Sequence, residues 1–310
     1  MKKVLCLIPI YNDWAAVAGL LKQITALKLG SGYRLQALVI DDGSTLTMPA
    51  GAIKKGTEII ELARNLGHQS AIAVGLGHIS HAAFDAVIVM DGDGEDAPSD
   101  ILAMLAAWKS TGYKNAVFAQ RARRSEGLVF RVFYQCYKLA YRLLTGTSIS
   151  MGNFSLLPKA YVSKLLLYPE LWRHYPATVK KSKLAVTLVP TRRAERIEGR
   201  SKMNFYNLVL HGLGAITVHS DIVGVRSLVA VSLLLASCFI GVLGLLYTRF
   251  FTSVAIPVWT STLTLFLTMI ALQFLSSAII FSFLTLAGRS PIALNPARSY
   301  QGFVKRRFRI

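Results

Sequence analysis

The sequence predicts an α/β domain with a mostly parallel sheet, followed by an interfacial amphipathic helix and two transmembrane helices. Three observations predict this fold class. Short apolar runs alternate with helical patterns through roughly the first two hundred residues, which is typical of a parallel α/β sheet. Two long segments near the end of the chain carry no charged residue. The whole chain is 53% hydrophobic and only 16% charged, which excludes a disordered chain and an ordinary soluble enzyme.

The predicted sheet is built from apolar runs of strand length, and helical patterns separate most of them. The runs are residues 4–8, 35–40, 57–62, 86–90 and 116–119. The helical patterns cover residues 14–26, 68–81 and 99–110. In such sheets the ligand lies beyond the carboxyl ends of the strands, so the polar residues that follow each run are the candidate site residues.

Acidic residues are concentrated after the fourth run, where five of the ten residues from Asp91 to Asp100 are acidic. Their mutual repulsion is costly unless a cation compensates it. Oxygen ligands without nearby His or Cys favour Mg²⁺ or Mn²⁺, held by one or two carboxylates and completed by a substrate diphosphate. We therefore expect a metal site at Asp91 and Asp93. The alternative is a solvated loop whose carboxylates cap the helix beginning near Ser99, and Asp96 and Asp100 suit that role.

Two uncharged segments are long enough to cross a membrane as helices, which takes about 20 residues. They are residues 227–247 and 250–288, and we place the second span at residues 259–287. Arg226 precedes the pair, and only Arg249 lies between them, whereas six basic residues follow: Arg289, Arg298, Lys305, Arg306, Arg307 and Arg309. The positive-inside rule then places both termini in the cytoplasm. The alternative, a buried hairpin in a soluble domain, would require partners that cover helices apolar on every face.

Basic residues are concentrated in the middle of the chain. Residues 105–202 contain 19 Lys and Arg against four Asp and Glu, within a net charge of +19. Such a segment suits a polyanionic partner, and the apolar spans make the lipid bilayer the expected partner and argue against nucleic acid. Aromatic residues recur at helical spacing among basic ones from Phe130 to Arg142, as in a helix lying at a membrane interface. Packing of these aromatic residues against the sheet is the alternative.

Four motifs follow one another along the chain: Ile8-Pro9-Ile10-Tyr11-Asn12-Asp13, Val39-Ile40-Asp41-Asp42-Gly43-Ser44-Thr45, Ala63-Arg64-Asn65-Leu66-Gly67-His68-Gln69-Ser70-Ala71 and Met90-Asp91-Gly92-Asp93-Gly94-Glu95-Asp96-Ala97-Pro98. With Arg196-x-x-Gly199-x-Ser201-Lys202 and the two spans, they resemble the inverting family-2 glycosyltransferases of the GT-A fold. Within that family the chain is similar to the polyprenyl-phosphate glycosyltransferases, the group of dolichol-phosphate mannose synthase and bactoprenol glucosyltransferase. The resemblance implies a Rossmann-like GT-A catalytic domain.

The resemblance also implies which residues bind the nucleotide sugar and the metal. The nucleoside pocket would be lined by Pro9, Tyr11, Asp13, Asp41 and Asp42, with Arg64 closing over the base. Asp91 and Asp93 match an Asp-x-Asp motif that reaches the sugar, the ribose and the metal, and Glu95 is a further metal ligand. Two alternatives stay open: Asp41 or Asp42 satisfies only the backbone of a turn, or Arg64 pairs structurally with Glu61 or Asp85.

The basic residues near the predicted site are expected to bind phosphate, because guanidinium groups match phosphate oxygens well. By the resemblance, Arg121 and Arg131 would hold the lipid phosphate. Arg196 and Lys202 would lie on a mobile segment over the donor diphosphate. The alternative is that most basic residues of the middle section face anionic headgroups.

The expected reaction is metal-dependent transfer of one sugar from a nucleotide sugar donor to a membrane polyprenyl phosphate, with inversion at the anomeric carbon. Many relatives carry Gly-Asp-Phe-Arg where this chain has Gly152-Asn153-Phe154-Ser155. A phosphate acceptor has its second pKa near 6 and is already a nucleophile, so no protein general base is expected. A processive polysaccharide synthase is one alternative, although its Gln-x-x-Arg-Trp motif and additional spans are missing from the sequence. A noncatalytic nucleotide-sugar-binding subunit is another, which Asn153 favours and the Asp91-Gly92-Asp93 motif opposes.

The expected organisation has four parts. The GT-A domain covers residues 1–202, a juxtamembrane amphipathic segment covers 203–224, the transmembrane hairpin covers 225–288 and a basic cytoplasmic tail covers 289–310. We expect an integral protein of a bacterial inner membrane with its catalytic domain in the cytoplasm. The sequence leaves open the sugar, the base, the lipid and whether the chain forms a homo-oligomer.

Overall fold

The computed structural model describes residues 1–53, 55–121, 128–148, 151–191, 194–198, 205–253, 258–287 and 295–310. The chain divides into two compact units. The first consists of Met1–Cys136, Ile149–Val218 and Leu294–Ile310, and the second of Tyr137–Ser148 and His219–Ala293.

Within the described residues of the first unit, eight strands form one sheet: β1 (Lys2–Ile10), β2 (Tyr33–Asp41), β3 (Glu58–Leu62), β4 (Ala86–Val89), β5 (Ala116–Arg121), β6 (Ser155–Pro158), β7 (Val186–Thr191) and β8 (Val304–Arg309). Their order across the sheet is β7-β5-β6-β4-β1-β2-β3-β8. Only β6 and β8 run antiparallel to their neighbours. The prediction of a mostly parallel sheet is therefore confirmed, and every predicted strand is present.

Ten α-helices lie in the part of the chain that the structure describes: α1 (Trp14–Ala26), α2 (His68–Ile79), α3 (Asp100–Ser110), α4 (Leu128–Thr145), α5 (Lys159–Leu165), α6 (Tyr175–Lys181), α7 (Phe205–Thr217), α8 (Ser220–Phe251), α9 (Val258–Ala287) and α10 (Pro296–Ser299). Short 3₁₀ helices cover Pro169–Trp172 and Tyr300–Phe303. The three helical patterns predicted between strands correspond to α1, α2 and α3.

The apolar core of the first unit lies on both faces of the sheet. Along β1, Leu5 and Leu7 belong to the cluster on the α2 side, whereas Val4, Cys6 and Ile8 belong to the cluster that includes α1 and α3. Successive side chains of a strand point to opposite faces. A strand covered on both faces reads as a continuous apolar run, which is the pattern that made β1 predictable.

The end of the chain corrects one expectation, because residues 295–310 are not a free basic tail. β8 pairs antiparallel with β3, with Ile60 opposite Arg307 and Ile59 opposite Phe308. Lys305 and Arg306 form ion pairs with Glu61, and Arg307 approaches Glu58 to 2.6 Å. The run Lys-Arg-Arg-Phe-Arg lacks an apolar pattern that predicts a strand, but the two glutamates of β3 offset about half of its four positive charges.

The expected juxtamembrane segment at 203–224 divides between the two units. α7 belongs to the first unit, where the carbonyl oxygens at its end accept hydrogen bonds from Arg173 (to Thr217, 3.3 Å) and Lys181 (to Val218, 2.9 Å). His211 of α7 lies 3.2 Å from His174, measured between their Nε2 atoms. α8 begins in the second unit at Ser220. Basic side chains suit the carboxyl end of a helix, so α7 is anchored to the first unit.

The described part of the second unit contains two helices that are long and apolar enough to cross a membrane, Ser220–Phe251 and Thr260–Leu284. Only 6% and 11% of their most apolar stretches are buried. The alternative of a buried soluble hairpin requires covered helices, so this exposure argues against it. Exposed apolar side chains also line α4, at Val132, Phe133, Leu139 and Leu143, whereas its Tyr141 is buried. α4 thus exposes the apolar side chains expected of an interfacial helix.

Candidate active site

The predicted site residues meet at one edge of the sheet, beyond the carboxyl ends of four parallel strands. In the register of the central strands, Ile10 pairs with Asp41 and Asp41 pairs with Glu61. β4 lies on the other side of β1, with Val89 beside Leu7. The loops that follow these strands therefore leave the sheet side by side. Pro9 is buried within β1 opposite Ile40, and Tyr11 and Asp13 are half-buried in the loop before α1.

The loop after β2 is held by hydrogen bonds to Asp41 and to Ser44. The backbone N–H of Ser44 donates to Asp41 Oδ1 at 3.0 Å, and the backbone N–H of Asn12 donates to Ser44 Oγ at 2.8 Å. Asp41 is only 4% exposed. Burial raises the pKa of Asp41, against the opposing effect of the hydrogen bonds from Ser44. The loops after β1 and β2 thus form one connected wall.

Asp42 joins this wall to the loop after β3. The backbone N–H of Leu66 donates to Asp42 Oδ1 at 2.8 Å, and that of Gly67 donates to Oδ2 at 2.9 Å. Burial raises the pKa of Asp42 to about 6, although both hydrogen bonds oppose the shift. Asp42 therefore binds the backbone of a different loop, whereas the hydrogen bond within the turn after β2 is the one that Asp41 accepts from Ser44.

Arg64 lies exposed on the loop after β3. The carboxylates considered as its structural partners bind other groups. Asp85 pairs with Lys2 at 2.9 Å, and Glu61 pairs with Lys305 at 2.7 Å. Because the guanidinium of Arg64 is exposed, it is accessible to a nucleotide base, as the predicted role requires.

The acidic loop after β4 is half-buried and internally hydrogen-bonded. Asp93 Oδ1 accepts from the backbone N–H of Glu95 at 3.0 Å, and the buried Asp96 accepts from the backbone N–H of Asp91 at 3.1 Å. Burial raises the pKa of Asp93, and the charges of Asp91 and Glu95 act in the same direction. Asp96 therefore orders the loop, whereas Asp91 and Asp93 present carboxylates at the sheet edge.

A strap formed by residues 194–198 lies on this loop. Arg196 donates to Asp93 Oδ2 at 2.7 Å, and its Nε lies 3.6 Å from Glu95. The backbone N–H of Ile197 donates to the carbonyl oxygen of Asp93 at 3.1 Å. A Cβ at Gly94 would lie 2.4 Å from Ile197 Cγ1, so glycine permits the close packing. Arg196 thus lies against the acidic loop, beside the place where a donor diphosphate is expected.

Two carboxylates of this loop fit a divalent ion that is shared with a substrate. Among the residues that the structure describes, no three His, Cys, Asp or Glu side chains converge to hold a metal by themselves. Asp91, Asp93 and Glu95 are therefore not a preassembled three-ligand set. Mg²⁺ is commonly bound by one or two carboxylates with substrate phosphates in the remaining positions. Asp91 and Asp93 would hold such an ion, and Mn²⁺ accepts the same oxygen ligands.

Three residues not predicted as site residues surround Asp91. His68 Nε2 lies 3.0 Å from Asp91 Oδ1, Asn153 Nδ2 donates to the same oxygen at 3.3 Å, and Gln69 Nε2 donates to Asn153 Oδ1 at 3.1 Å. Desolvation lowers the pKa of His68, but Asp91 outweighs it and the pKa is raised overall. The position of His68 and Gln69 just after β3 is the signal that identifies them, since this is the ligand-binding edge.

Three of the residues predicted to bind phosphate are Arg121, Arg131 and Lys202. Arg121 is the last residue of β5, which is the strand end expected of a site residue, and Arg131 lies in α4. The side chains of both, and the whole of Lys202, lie outside the described residues. Their roles stay predictions.

Comparison with known proteins identifies a family and several relatives. The family model described as "Glycosyl transferase family 2" matches residues 6–166. The uncharacterized glycosyltransferase YkcC of Bacillus subtilis is 26% identical to the chain, covering 91% of it and 86% of YkcC. The undecaprenyl-phosphate 4-deoxy-4-formamido-L-arabinose transferase of Salmonella paratyphi A is 28% identical over 67% of this chain. The chain spans 65% of the length of that transferase.

Solved structures show the same fold. Mannosyl-3-phosphoglycerate synthase from Rubrobacter xylanophilus matches with a TM-score of 0.52 and 19% identity, over 70% of this chain and 72% of its own. Glucosyl-3-phosphoglycerate synthase from Mycobacterium tuberculosis, solved in complex with Mn²⁺, UDP-glucose and phosphoglyceric acid, matches with a TM-score of 0.50 and 17% identity. That match covers 72% of this chain and 80% of the synthase. The predicted GT-A fold is confirmed.

Proposed function

The chain belongs to glycosyl transferase family 2, and on this premise we propose that it transfers one sugar from a nucleotide sugar to a membrane polyprenyl phosphate, with inversion at the anomeric carbon. The observation that carries the proposal is the pair Asp91 and Asp93 at the sheet edge, in a chain that also has two membrane-length helices. The Salmonella relative is named for transfer onto undecaprenyl phosphate, which supports a lipid phosphate acceptor.

On the donor side, the loops after β1, β2 and β3 form the nucleoside pocket, and the acidic loop holds the diphosphate end. When bound at Asp91 and Asp93, Mg²⁺ or Mn²⁺ supplies positive charge that offsets the charge developing on the departing nucleoside diphosphate. The Mn²⁺ in the mycobacterial synthase complex supports this cofactor class. Arg196, 2.7 Å from Asp93, adds a guanidinium that binds phosphate oxygens on the same side.

On the acceptor side, the protein positions a nucleophile that is already ionised. A phosphate monoester is largely dianionic at pH 7, so the attacking oxygen has no proton to lose. Asn153, an amide beside Asp91, fits this requirement because no carboxylate base is needed there. Arg121 and Arg131 would orient the acceptor phosphate. Holding both substrates at one interface makes the transfer effectively unimolecular.

The connectivity of the sheet supports a cytoplasmic catalytic unit. β1 and β8 belong to one sheet, and the two membrane-length helices lie between them in the chain. The segments that flank the hairpin must therefore be on the same side of the membrane. Arg226 and the basic residues of β8 flank the hairpin, whereas Arg249 is the sole basic residue between the spans in the sequence. We place the flanking side in the cytoplasm by the positive-inside rule.

The proposal is tested by incubating membranes that contain the protein with a panel of radiolabelled nucleotide sugars and measuring label in organic-extractable lipid. We expect one donor to label the lipid, and Asp93→Asn to abolish labelling because an amide is a poor ligand for a hard cation. Asp100→Asn is the matched control, since Asp100 begins α3 and should leave labelling intact. Absence of lipid labelling with every donor, despite measurable nucleotide-sugar binding, would instead indicate a noncatalytic binding subunit.

A further inference from the structure

A chain of hydrogen bonds leads from the buried backbone of Tyr175 to the carboxylate of Asp91. The backbone N–H of Tyr175 donates to Gln69 Oε1 at 2.6 Å. Gln69 Nε2 donates to Asn153 Oδ1 at 3.1 Å, and Asn153 Nδ2 donates to Asp91 Oδ1 at 3.3 Å. Gln69 is 9% exposed, so the middle of the chain is sheltered from water.

The direction of every bond in this chain follows from its first donor. A backbone N–H can only donate, so Gln69 must turn its oxygen toward Tyr175. Its amide nitrogen then faces Asn153 and requires an acceptor, which is Asn153 Oδ1. The remaining group of Asn153, its NH₂, then faces the space shared by His68 Nε2, at 3.0 Å, and Asp91 Oδ1, at 3.3 Å. A side chain that can accept on one side and donate on the other is required at position 153.

The backbone around Asn153 is fixed as well. β6 pairs antiparallel with β4, with Ser155 opposite Val89. Continuing this register by two residues brings Asn153 opposite Asp91. Ser155 Oγ donates to the carbonyl oxygen of Asn153 at 2.8 Å and lies 2.5 Å from the hydroxyl oxygen of the buried Tyr175. Asn153 is thus held through its main chain and through its side chain.

We infer that Asn153 is a positioning residue for Asp91, and that this site requires a neutral amide at position 153 rather than the carboxylate that many relatives carry. The inference rests on the proposed function, in which Asp91 binds the metal and the donor. His68 and Asn153 both approach Asp91 Oδ1, and Asn153 Nδ2 also lies 3.0 Å from His68 Nε2, so the three side chains form one contact cluster that holds this carboxylate oxygen in place. A carboxylate at 153 would still accept from Gln69, but it would place a second negative charge beside Asp91.

Two nearly isosteric substitutions test this inference at the two side-chain amides of the hydrogen-bond series, Asn153 and Gln69. Asn153→Asp removes the donor to Asp91 and adds the repelling charge. Gln69→Glu acts without touching Asp91, because the new carboxylate accepts from Tyr175 but cannot donate to Asn153 Oδ1. Asn153 is then expected to rotate its NH₂ toward that carboxylate and its oxygen toward Asp91. Hydrogen-bonding partners of metal ligands typically affect metal affinity by about 10–100-fold, so both variants should weaken metal binding by at least about tenfold.

The measurement is Mn²⁺ binding to the purified full chain in detergent, followed by the electron paramagnetic resonance signal of the free ion. Asn153→Ala is the comparison variant, because it removes the donor without adding charge and should weaken binding less than Asn153→Asp. Thermal unfolding of each variant reports folding separately. In the lipid-labelling assay, raising the Mn²⁺ concentration should restore activity to Asn153→Asp, which it would not do for a variant that is merely less stable.

The outcomes separate this inference from the proposed function. If the wild-type protein binds Mn²⁺ and Asn153→Asp binds it equally or more tightly, the carboxylate acts as an added ligand and the inference is overturned. Unchanged binding in Gln69→Glu would likewise show that the hydrogen-bond direction does not matter. If the wild-type protein labels lipid but binds no Mn²⁺, the metal role of Asp91 and this inference both fail, while the transfer reaction stands.

Discussion

Gly43 provides a sharp test of how the proposed nucleoside pocket is built. Its φ is +69°, and a Cβ at this position would lie 2.6 Å from the carbonyl carbon of Arg64 and 2.7 Å from the backbone nitrogen of Asn65. Gly51 has nearly the same φ, +72°, but a Cβ there would meet nothing within 4 Å. Gly43→Ala and Gly51→Ala therefore share the same backbone strain, and only the first adds a steric overlap.

The difference between the two variants can be worked out from the contacts. The left-handed conformation costs an alanine about 1–2 kcal/mol in both cases. At Gly43 the new methyl falls about 0.8 Å short of the 3.4 Å of an ordinary contact, and its neighbours are backbone atoms. The loop that must move carries the N–H groups of Leu66 and Gly67, which donate to Asp42. Hydrogen bonds to a charged group contribute about 1.5–3 kcal/mol each, so weakening both adds about 2–4 kcal/mol.

The assay is thermal unfolding of the detergent-solubilised protein at one fixed scan rate, followed by tryptophan fluorescence. Since 1 kcal/mol shifts the Tm by about 2–4 °C in a domain of this size, Gly51→Ala should lower it by about 2–8 °C. Gly43→Ala should lower the Tm by about 4–16 °C more than Gly51→Ala. Equal decreases in Tm for the two variants would show that the loop after β3 moves without a cost in stability. The account of Asp42 as a rigid link between two loops would then be wrong.

Two further predictions concern pH and topology. The pKa of Asp42 is raised to about 6, so the folded state holds this proton more tightly than the unfolded state, whose pKa is about 4. The stability that Asp42 contributes should therefore fall by up to about 3 kcal/mol as the pH rises from about 4 to about 6. Denaturant titrations at several pH values measure this, and the free energy of unfolding of Asp42→Asn should lack this pH-dependent part. If the variant kept the same pH slope as the wild-type protein, the burial argument would be contradicted. A reporter fused after Ile310 should behave as cytoplasmic, while a tag near Ser253 should be labelled only from the opposite side, and the reverse pattern would overturn the orientation.

The parts of the fold that were predictable are those in which local pattern and final environment agree. β1 and β4 are buried on both faces, so their sequences read as apolar runs. β6 has only four residues, and β7 alternates between half-buried and exposed positions with a proline near its end. β8 is almost entirely basic. These three strands form because they pair with strands that are distant in sequence, and the local periodicity of a sequence does not predict such pairing.

In the candidate site, too, some features follow from the local sequence and others depend on contacts between distant residues. Asp91 and Asp93 were predictable because they follow an apolar run and are close together in sequence. The contact between Asn153 and Asp91 joins residues 62 positions apart. It depends on the antiparallel pairing of β4 with β6, which none of the sequence motifs indicates. The resemblance predicts Arg196 over the donor diphosphate, whereas its ion pair with Asp93 depends on the path of the strap.

The position of β8 sets an order of events during biosynthesis. β8 emerges from the ribosome after α8 and α9, yet it covers the outer edge of β3, which is synthesised long before. Until β8 arrives, the N–H and C=O groups along that edge are open to pairing with other chains, which is a recognised route to aggregation. Glu58 and Glu61 lie along this edge and keep it charged during the interval. The sheet is therefore completed only after both membrane-length helices have been made, so a chain whose synthesis stopped there would carry an unfinished sheet.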